Sequence, residues 1–309
     1  MQDLARTVGL GPILDRAGVP WVDRNFEDVY DSLYRRNPTS SAVRELEGTV
    51  RDYFSVLQLP PCVTAYDYLV LTLRAKDVIA SFNWDPLLLQ AYARHAAARE
   101  LPHVVFLHGN VAVGYCEGCK VKGWVTGRCG KCGSPFTPSR LLYPVSSKDY
   151  ASDPFISAEW QNLQQYLQRA YFLTIFGYSA PRTDAAAIEL LMGAWRNNQT
   201  QTLAEVEVID VRPEDELVAS WRSFITREHY MVTDDIRRSY LAWHPRRSCE
   251  ALAFATLQND PWPDNWMPEF GNPGAMLDWV KPLIDQEEAL DSHSTPFSRA
   301  SLSRGAKPS

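Results

Sequence analysis

Four cysteines carry the plainest chemistry in the chain. Cys116 and Cys119 are separated by two residues, as are Cys129 and Cys132, and nine residues lie between the pairs. Each Cys-x2-Cys pair predicts a tight knuckle, and two knuckles supply four thiolates in the tetrahedral set that zinc prefers. Glycines at 118, 123, 127, 130 and 133 suit the turns such knuckles need. Four protein ligands leave no open coordination position, so the expected role is one structural zinc ion. Lys120, Lys122, Arg128 and Lys131 lie among the cysteines. A nucleic-acid-binding ribbon would use such charges. A solvated face that offsets the thiolates accounts for them equally well and is the reading preferred here.

A second set of polar residues follows short apolar runs. Asn83 and Asp85 follow DVIASF, His108 follows HVVFL, Tyr178 and Ser179 follow YFLTIFG, and Asp210 closes AEVEVI. Each has an ordinary explanation as a cap, a turn former or a core histidine. As a group they offer an imidazole suited to general-base work near neutral pH, amide and carboxylate groups, and a glycine.

These residues must be positioned by the elements around them. The runs are short, apolar and bounded by turn formers, as buried parallel strands are. Helical stretches of roughly 10–15 residues alternate with them: PLLLQAYARHAAARE, a segment around Trp160, and AAAIELLMGAWRN. The expectation is therefore an α/β, Rossmann-like domain. It would have a mostly parallel sheet, helices on both faces and a small inserted zinc-ribbon module. Ligands of such sheets sit beyond the carboxyl ends of the strands, where all the polar groups above fall. Residues 1–109 and 146–284 would form this domain, 110–145 the ribbon, and 285–309 a disordered tail rich in serine. Ahead of the first strand, two helices fill 25–57 and a third starts at Thr64. Residues 1–25 show scattered glycine and proline but no strand, and 214–280 look helical, then rich in tryptophan and proline.

Taken in order, these segments resemble the sirtuin family. LHGN, five residues and a Cys-x2-Cys pair are similar to the family's catalytic-histidine segment running into its zinc ribbon. FNWD at 82–85 matches Gln-Asn-x-Asp at its second and fourth positions, GYS at 177–179 resembles Gly-Thr-Ser, and VID at 208–210 stands where the family contacts adenosine ribose. The resemblance covers roughly 75–215 and is nearest to divergent sirtuin-like proteins. It implies NAD as substrate or ligand. Asn83 and Asp85 would hold nicotinamide and its ribose, His108 would be the general base, Gly177 and Ser179 would approach the adenosine half and phosphates, and Asp210 would bind the adenosine ribose. Gly11, within Gly9-Leu10-Gly11-Pro12, is the nearest match to the family's phosphate-binding turn. It lacks the serine, and Pro12 removes a backbone donor. LLYPVSSKDY replaces the stretch that binds acyl-lysine peptide in deacylases, which favours water as the acceptor. The implied activity is NAD hydrolysis to ADP-ribose and nicotinamide. Lysine deacylation or ADP-ribosyl transfer is the alternative, and a nucleotide- or partner-binding module without turnover is the further one.

Composition limits the partners. A net charge of −6 and a pI near 5.6 argue against a general nucleic-acid-binding surface. No apolar run reaches the ~18 residues of a membrane span, and the amino terminus has no signal-peptide pattern, so a cytoplasmic protein is expected. Six cysteines, four of them clustered, fit metal ligation in a reducing compartment. The tryptophan- and proline-rich stretch 261–270 offers a surface to a protein partner, although large aromatics are more often core.

Overall fold

The computed structural model describes residues 3–145, 149–178, 184–225, 229–257 and 266–293. Four helices come first: α1 (Leu4–Thr7), α2 (Gly11–Arg16), α3 (Phe26–Arg36) and α4 (Ser41–Ser55). Gly9 and Gly18, both at positive φ, end the two short helices. In each case the next amide reaches back five residues, Leu10 N to Ala5 O and Val19 N to Leu14 O, both at 2.9 Å. That is the Schellman closure, and it needs the left-handed conformation glycine adopts without cost. Gly9 and Gly18 are therefore helix stops. In α3, Phe26, Val29, Tyr30 and Leu33 recur on one face and are buried, Asn25 caps the first turn, and Arg35 and Arg36 close the last. With Leu46 and Val50 of α4 they build a core of their own, completed by Trp84, Val111, Leu141 and Tyr143 from farther along the chain.

The α/β part follows. It runs α5 (Ala65–Leu71), β1 (Val78–Ser81), α6 (Leu87–Arg94) and β2 (His103–Phe106), then the hairpin module β3 (Val113–Cys116), β4 (Val121–Trp124) and β5 (Thr137–Pro138). After it come α7 (Pro154–Leu167), β6 (Phe172–Phe176), α8 (Ala185–Arg196), β7 (Glu205–Ile209), α9 (Glu214–Trp221) and β8 (Tyr230–Thr233). Three helices end the described chain: α10 (Tyr240–Trp243), α11 (Ser248–Leu257) and α12 (Pro273–His293). The parallel strands fall into two groups, β1–β2 and β6–β7–β8, and the cysteine module is antiparallel, ordered β4-β3-β5. One core joins both parallel groups through Val105, Phe106, Ile156, Trp160, Val206 and Val208. The parallel α/β architecture and the small inserted module are those expected from the sequence.

Three segments differ from expectation. β8 lies where the sequence looks helical; its four residues pair with β7 and are too few to show a period. α12 runs to His293, past position 285 where a disordered tail was expected to begin; 294–309 lie outside the described residues. The polar run is helical because Glu287 accepts both arms of the buried Arg246, at 2.8 and 2.7 Å, and also pairs with Arg74 at 3.1 Å. Lys122, read as part of a solvated face, instead lies against Glu159 of α7 at 2.6 Å and donates to Val104 O. Glu159 also accepts the Phe106 amide at 2.8 Å, so one carboxylate fastens the cysteine module to β2.

Candidate functional site

His108 lies just past β2, buried, with its ring edge-on to Phe82 at 4.8 Å. Phe82 follows β1, and the parallel register that places Ser81 beside Phe106 brings the two strand ends together. Past β6, Tyr178 stacks flat on Phe82 at 4.1 Å, so three strand ends meet in one aromatic cluster. On its Nε2 side His108 faces the Tyr150 hydroxyl at 3.3 Å and the Asp184 carboxylate at 3.9 Å. The Tyr178 hydroxyl donates to the other Asp184 oxygen at 3.0 Å. Trp160 of α7 closes the back, donating its indole N–H to Leu107 O. Burial pushes the Tyr150 and Tyr178 hydroxyls well above the usual phenol range, with the nearby Asp184 charge adding to it. Both therefore remain protonated donors around the carboxylate and the imidazole.

The loop after β1 is held by Asn110, which is fully buried. Its Nδ2 donates to Asp85 O at 2.5 Å, and its backbone N–H and C=O both bond the Ser139 hydroxyl, at 3.1 and 2.7 Å. Gly109 between His108 and Asn110 has φ +77°, and a Cβ there would fall 1.9 Å from Arg140 O. Only glycine permits both that conformation and that approach. Asn83 is exposed and donates to the Tyr66 hydroxyl at 3.3 Å. The Asp85 carboxylate caps α6 through the Leu87 amide at 3.0 Å, and burial holds its carboxyl above the usual range.

Gly177 and Asp210 sit side by side past β6 and β7, with Gly177 N donating to Ile209 O at 2.9 Å. Gly177 has φ +60° and faces open space. Asp210 is engaged by Arg212 at 2.9 Å; burial would raise its carboxyl, but the Arg212 hydrogen bonds outweigh it and keep it below the usual range. Asn83, Asp85, His108, Gly177 and Asp210 are thus all at carboxyl ends of parallel strands, where the sequence places them. Ser179 lies outside the described residues.

Gly11 is the first residue of α2, with no strand ahead of it among the described residues, and a Cβ there would meet the Trp21 ring at 2.7 Å. Pro12 stands in the helix's first turn, where its ring is pre-set for helix and its missing N–H takes one donor from that helix end. Sequence reasoning also missed Tyr150, Asp184 and Asn110 as parts of the site. Asp184 follows the GYS segment by five residues and Asn110 ends the LHGN run, but nothing in their spacing distinguishes them from turn residues.

The cysteine sulfurs all lie within 4.8 Å of one another, with Cys116 and Cys132 at 3.6 Å. Ligands at the usual zinc–sulfur distance of about 2.3 Å, tetrahedrally placed, are about 3.8 Å apart, so the set can close on one ion. Both knuckles share a design: the residue after the second cysteine, Lys120 or Gly133, is left-handed and donates its amide to the first cysteine's carbonyl at 2.8 Å. Of the five glycines in this stretch, Gly133 is the one that makes a knuckle turn; Gly123 leaves room for the Phe136 ring.

No protein-family model matches the chain, and no curated protein does. In structure it is similar to Sir2 proteins. One is a Sir2 complex with an inhibitor, 2′-O-acetyl-ADP-ribose and a deacetylated peptide, at 16% identity and TM-score 0.37, covering 79% of this chain and 86% of that one. A Sir2 homologue with NAD matches at 14% identity and TM-score 0.38, over 88% and 87% of the two chains. A Sir2 homologue with ADP-ribose matches at 12% identity and TM-score 0.36, over 90% of each. Among the described residues, no helix is long and apolar enough to cross a membrane.

Proposed function

We propose that the chain consumes NAD, cleaving the nicotinamide–ribose bond and passing the ribosyl centre to water, with ADP-ribose and nicotinamide as products. What supports this most is that Asn83, Asp85, His108, Gly177 and Asp210 all follow the ends of parallel strands, in the chain order of the sirtuin motifs, with Phe82 and Tyr178 stacked between the two strand groups. His108 would take a ribose hydroxyl proton, with the Asp184 carboxylate favouring the imidazolium that results. Asn83 and Asp85 would hold the nicotinamide end. Gly177 would allow close approach of the adenosine half, and Asp210 would accept from its ribose once Arg212 yields one of its bonds. Cys116, Cys119, Cys129 and Cys132 would hold one zinc with no open position, a structural ion that fixes the ribbon beside the His108 strand. In sirtuin-like chemistry an acyl or protein acceptor would share the first step, but LLYPVSSKDY lacks the peptide-binding stretch.

The test is incubation of zinc-loaded protein with NAD, following nicotinamide and ADP-ribose by chromatography. His108→Ala and Asp184→Asn should lower release by about 10²-fold or more with the fold intact. A binding-only module is the second reading, supported by the helical setting of Gly11 and the aromatic packing around His108. It predicts that NAD raises the melting temperature without being consumed.

A further inference from the structure

The proposed chemistry puts Asn83 and His108 on one ligand, yet the two differ sharply in access. Asn83 is exposed, whereas His108 keeps only 5% of its surface, with the ring of Phe82 packed against it. In this aromatic cluster Tyr150 and Trp160 are buried, while Phe82 and Tyr178 are half-buried. Among the described residues, the rings on the solvent side of His108 are therefore the stacked pair Phe82 and Tyr178, whose planes lie 3° apart.

The two rings are not held alike. Tyr178 is anchored by its hydroxyl on Asp184 at 3.0 Å and leans on Trp221 of α9 at 5.8 Å. The Phe82 side chain has no polar atom, and it packs on His108, Tyr178 and Trp160 through ring faces and edges alone. The backbone beyond it is fixed: Asn83 N donates to the Ser81 hydroxyl at 3.1 Å, and Asn83 O accepts from Asn110 Nδ2 at 3.4 Å. Phe82 can thus leave the stack by turning about its own side-chain bonds. Among the described residues β1 and β6 do not pair with each other, so parting the stack breaks no ladder between the two strand groups.

We infer that Phe82 is a gate for His108: stacked on Tyr178 it closes the imidazole off, and a ligand reaching from Asn83 to His108 displaces it. The inference rests on the reading that one ligand meets both residues. A stacked aromatic pair shifts an equilibrium by about two- to tenfold. The closed state holds His108 back by a factor of that order, and an incoming ligand loses the same factor in apparent affinity.

The experiment is labelling of the full chain with diethyl pyrocarbonate, which acylates accessible neutral imidazoles, read at each histidine by peptide mass spectrometry. The proteins are wild type, Phe82→Leu, which has no face to stack, and Phe82→Tyr, which keeps the ring. His95, at the end of α6 and 1% exposed, reports any general loosening. Phe82→Leu should label His108 about three- to tenfold faster with His95 unchanged, and Phe82→Tyr should behave as wild type. Equal His108 rates in wild type and Phe82→Leu would overturn the inference, as would His95 rising in step with His108. In NAD turnover, Phe82→Leu should lower KM by a factor matching the labelling; a raised KM would show that Phe82 holds substrate and would overturn the gate. Faster labelling of His108 in Phe82→Leu, with NAD consumed by none of the three proteins, would leave the gate standing and remove the NAD reading.

Discussion

Glu207 sits at the centre of β7 with no exposed surface, its Oε1 accepting the Tyr240 amide at 2.6 Å and its Oε2 the Thr174 hydroxyl at 2.8 Å. Burial pushes its carboxyl from the ordinary 4.5 up to about 7, against those two hydrogen bonds and with a smaller push from Glu205. The folded-state value therefore lies above the unfolded one. Between the two, the unfolded chain has released a proton that the fold retains, so stability falls as pH rises through this window and levels off above it. At about 1.36 kcal/mol per pH unit, a carboxyl held near 7 costs the fold about 3 kcal/mol at pH 8. Glu207→Gln removes the titration and keeps both contacts, because the amide oxygen can accept from Tyr240 and the NH2 can donate to the Thr174 oxygen. Urea unfolding of the two proteins at several pH values isolates this group from all others that titrate. The variant's stability relative to wild type should rise by about 2.5 kcal/mol between pH 5 and pH 8. A difference that stays flat over that range would show that Glu207 ionises normally, and the account of β7 as a strand buried on both faces would fail.

Gly109→Ala should cost about 3 kcal/mol or more, since its methyl group would collide with Arg140 O; thermal denaturation measures it, and NAD turnover should fall in parallel. Glu287→Ala strands the buried Arg246 and should destabilise by about 3–5 kcal/mol, with the amides of α12 losing hydrogen-exchange protection first. Lys122→Met leaves Glu159 with the Phe106 amide alone. The lysine is about one-third exposed, so a smaller loss of about 2 kcal/mol is expected in urea unfolding.

Much of this was legible in the sequence. The cysteine spacing and the strand-end positions of Asn83, His108, Gly177 and Asp210 needed only local pattern, because turn chemistry and short apolar runs are local properties. Other parts depended on contacts the sequence does not print. The run AEVEVI reads as a buried strand, but nothing in it shows what Glu205 and Glu207 meet once they are buried. Glu207 reaches the Tyr240 amide at the start of α10, thirty-three residues on. Gly9 and Gly11 look like one glycine-rich turn, but they stop one helix and start the next, a distinction set by φ. Asp184 belongs to His108 only through tertiary packing across 76 positions, a pairing no spacing rule encodes.

The neck formed by Asn110 and Ser139 also bears on how the chain finds its fold. These residues stand 29 positions apart, yet they exchange two hydrogen bonds, with Leu142 N adding a third to His108 O. Once the neck is tied, the whole cysteine module becomes a closed ring, and β2 is separated from α7 by a short stretch. Loop-closure entropy grows only with the logarithm of length, so closing this ring early makes the later parallel pairings shorter-range events than their numbering suggests. A metal joining the two knuckles would close a smaller ring inside the first. Assembly by nested rings would let the carboxyl-terminal strands dock onto a His108 strand already held in place.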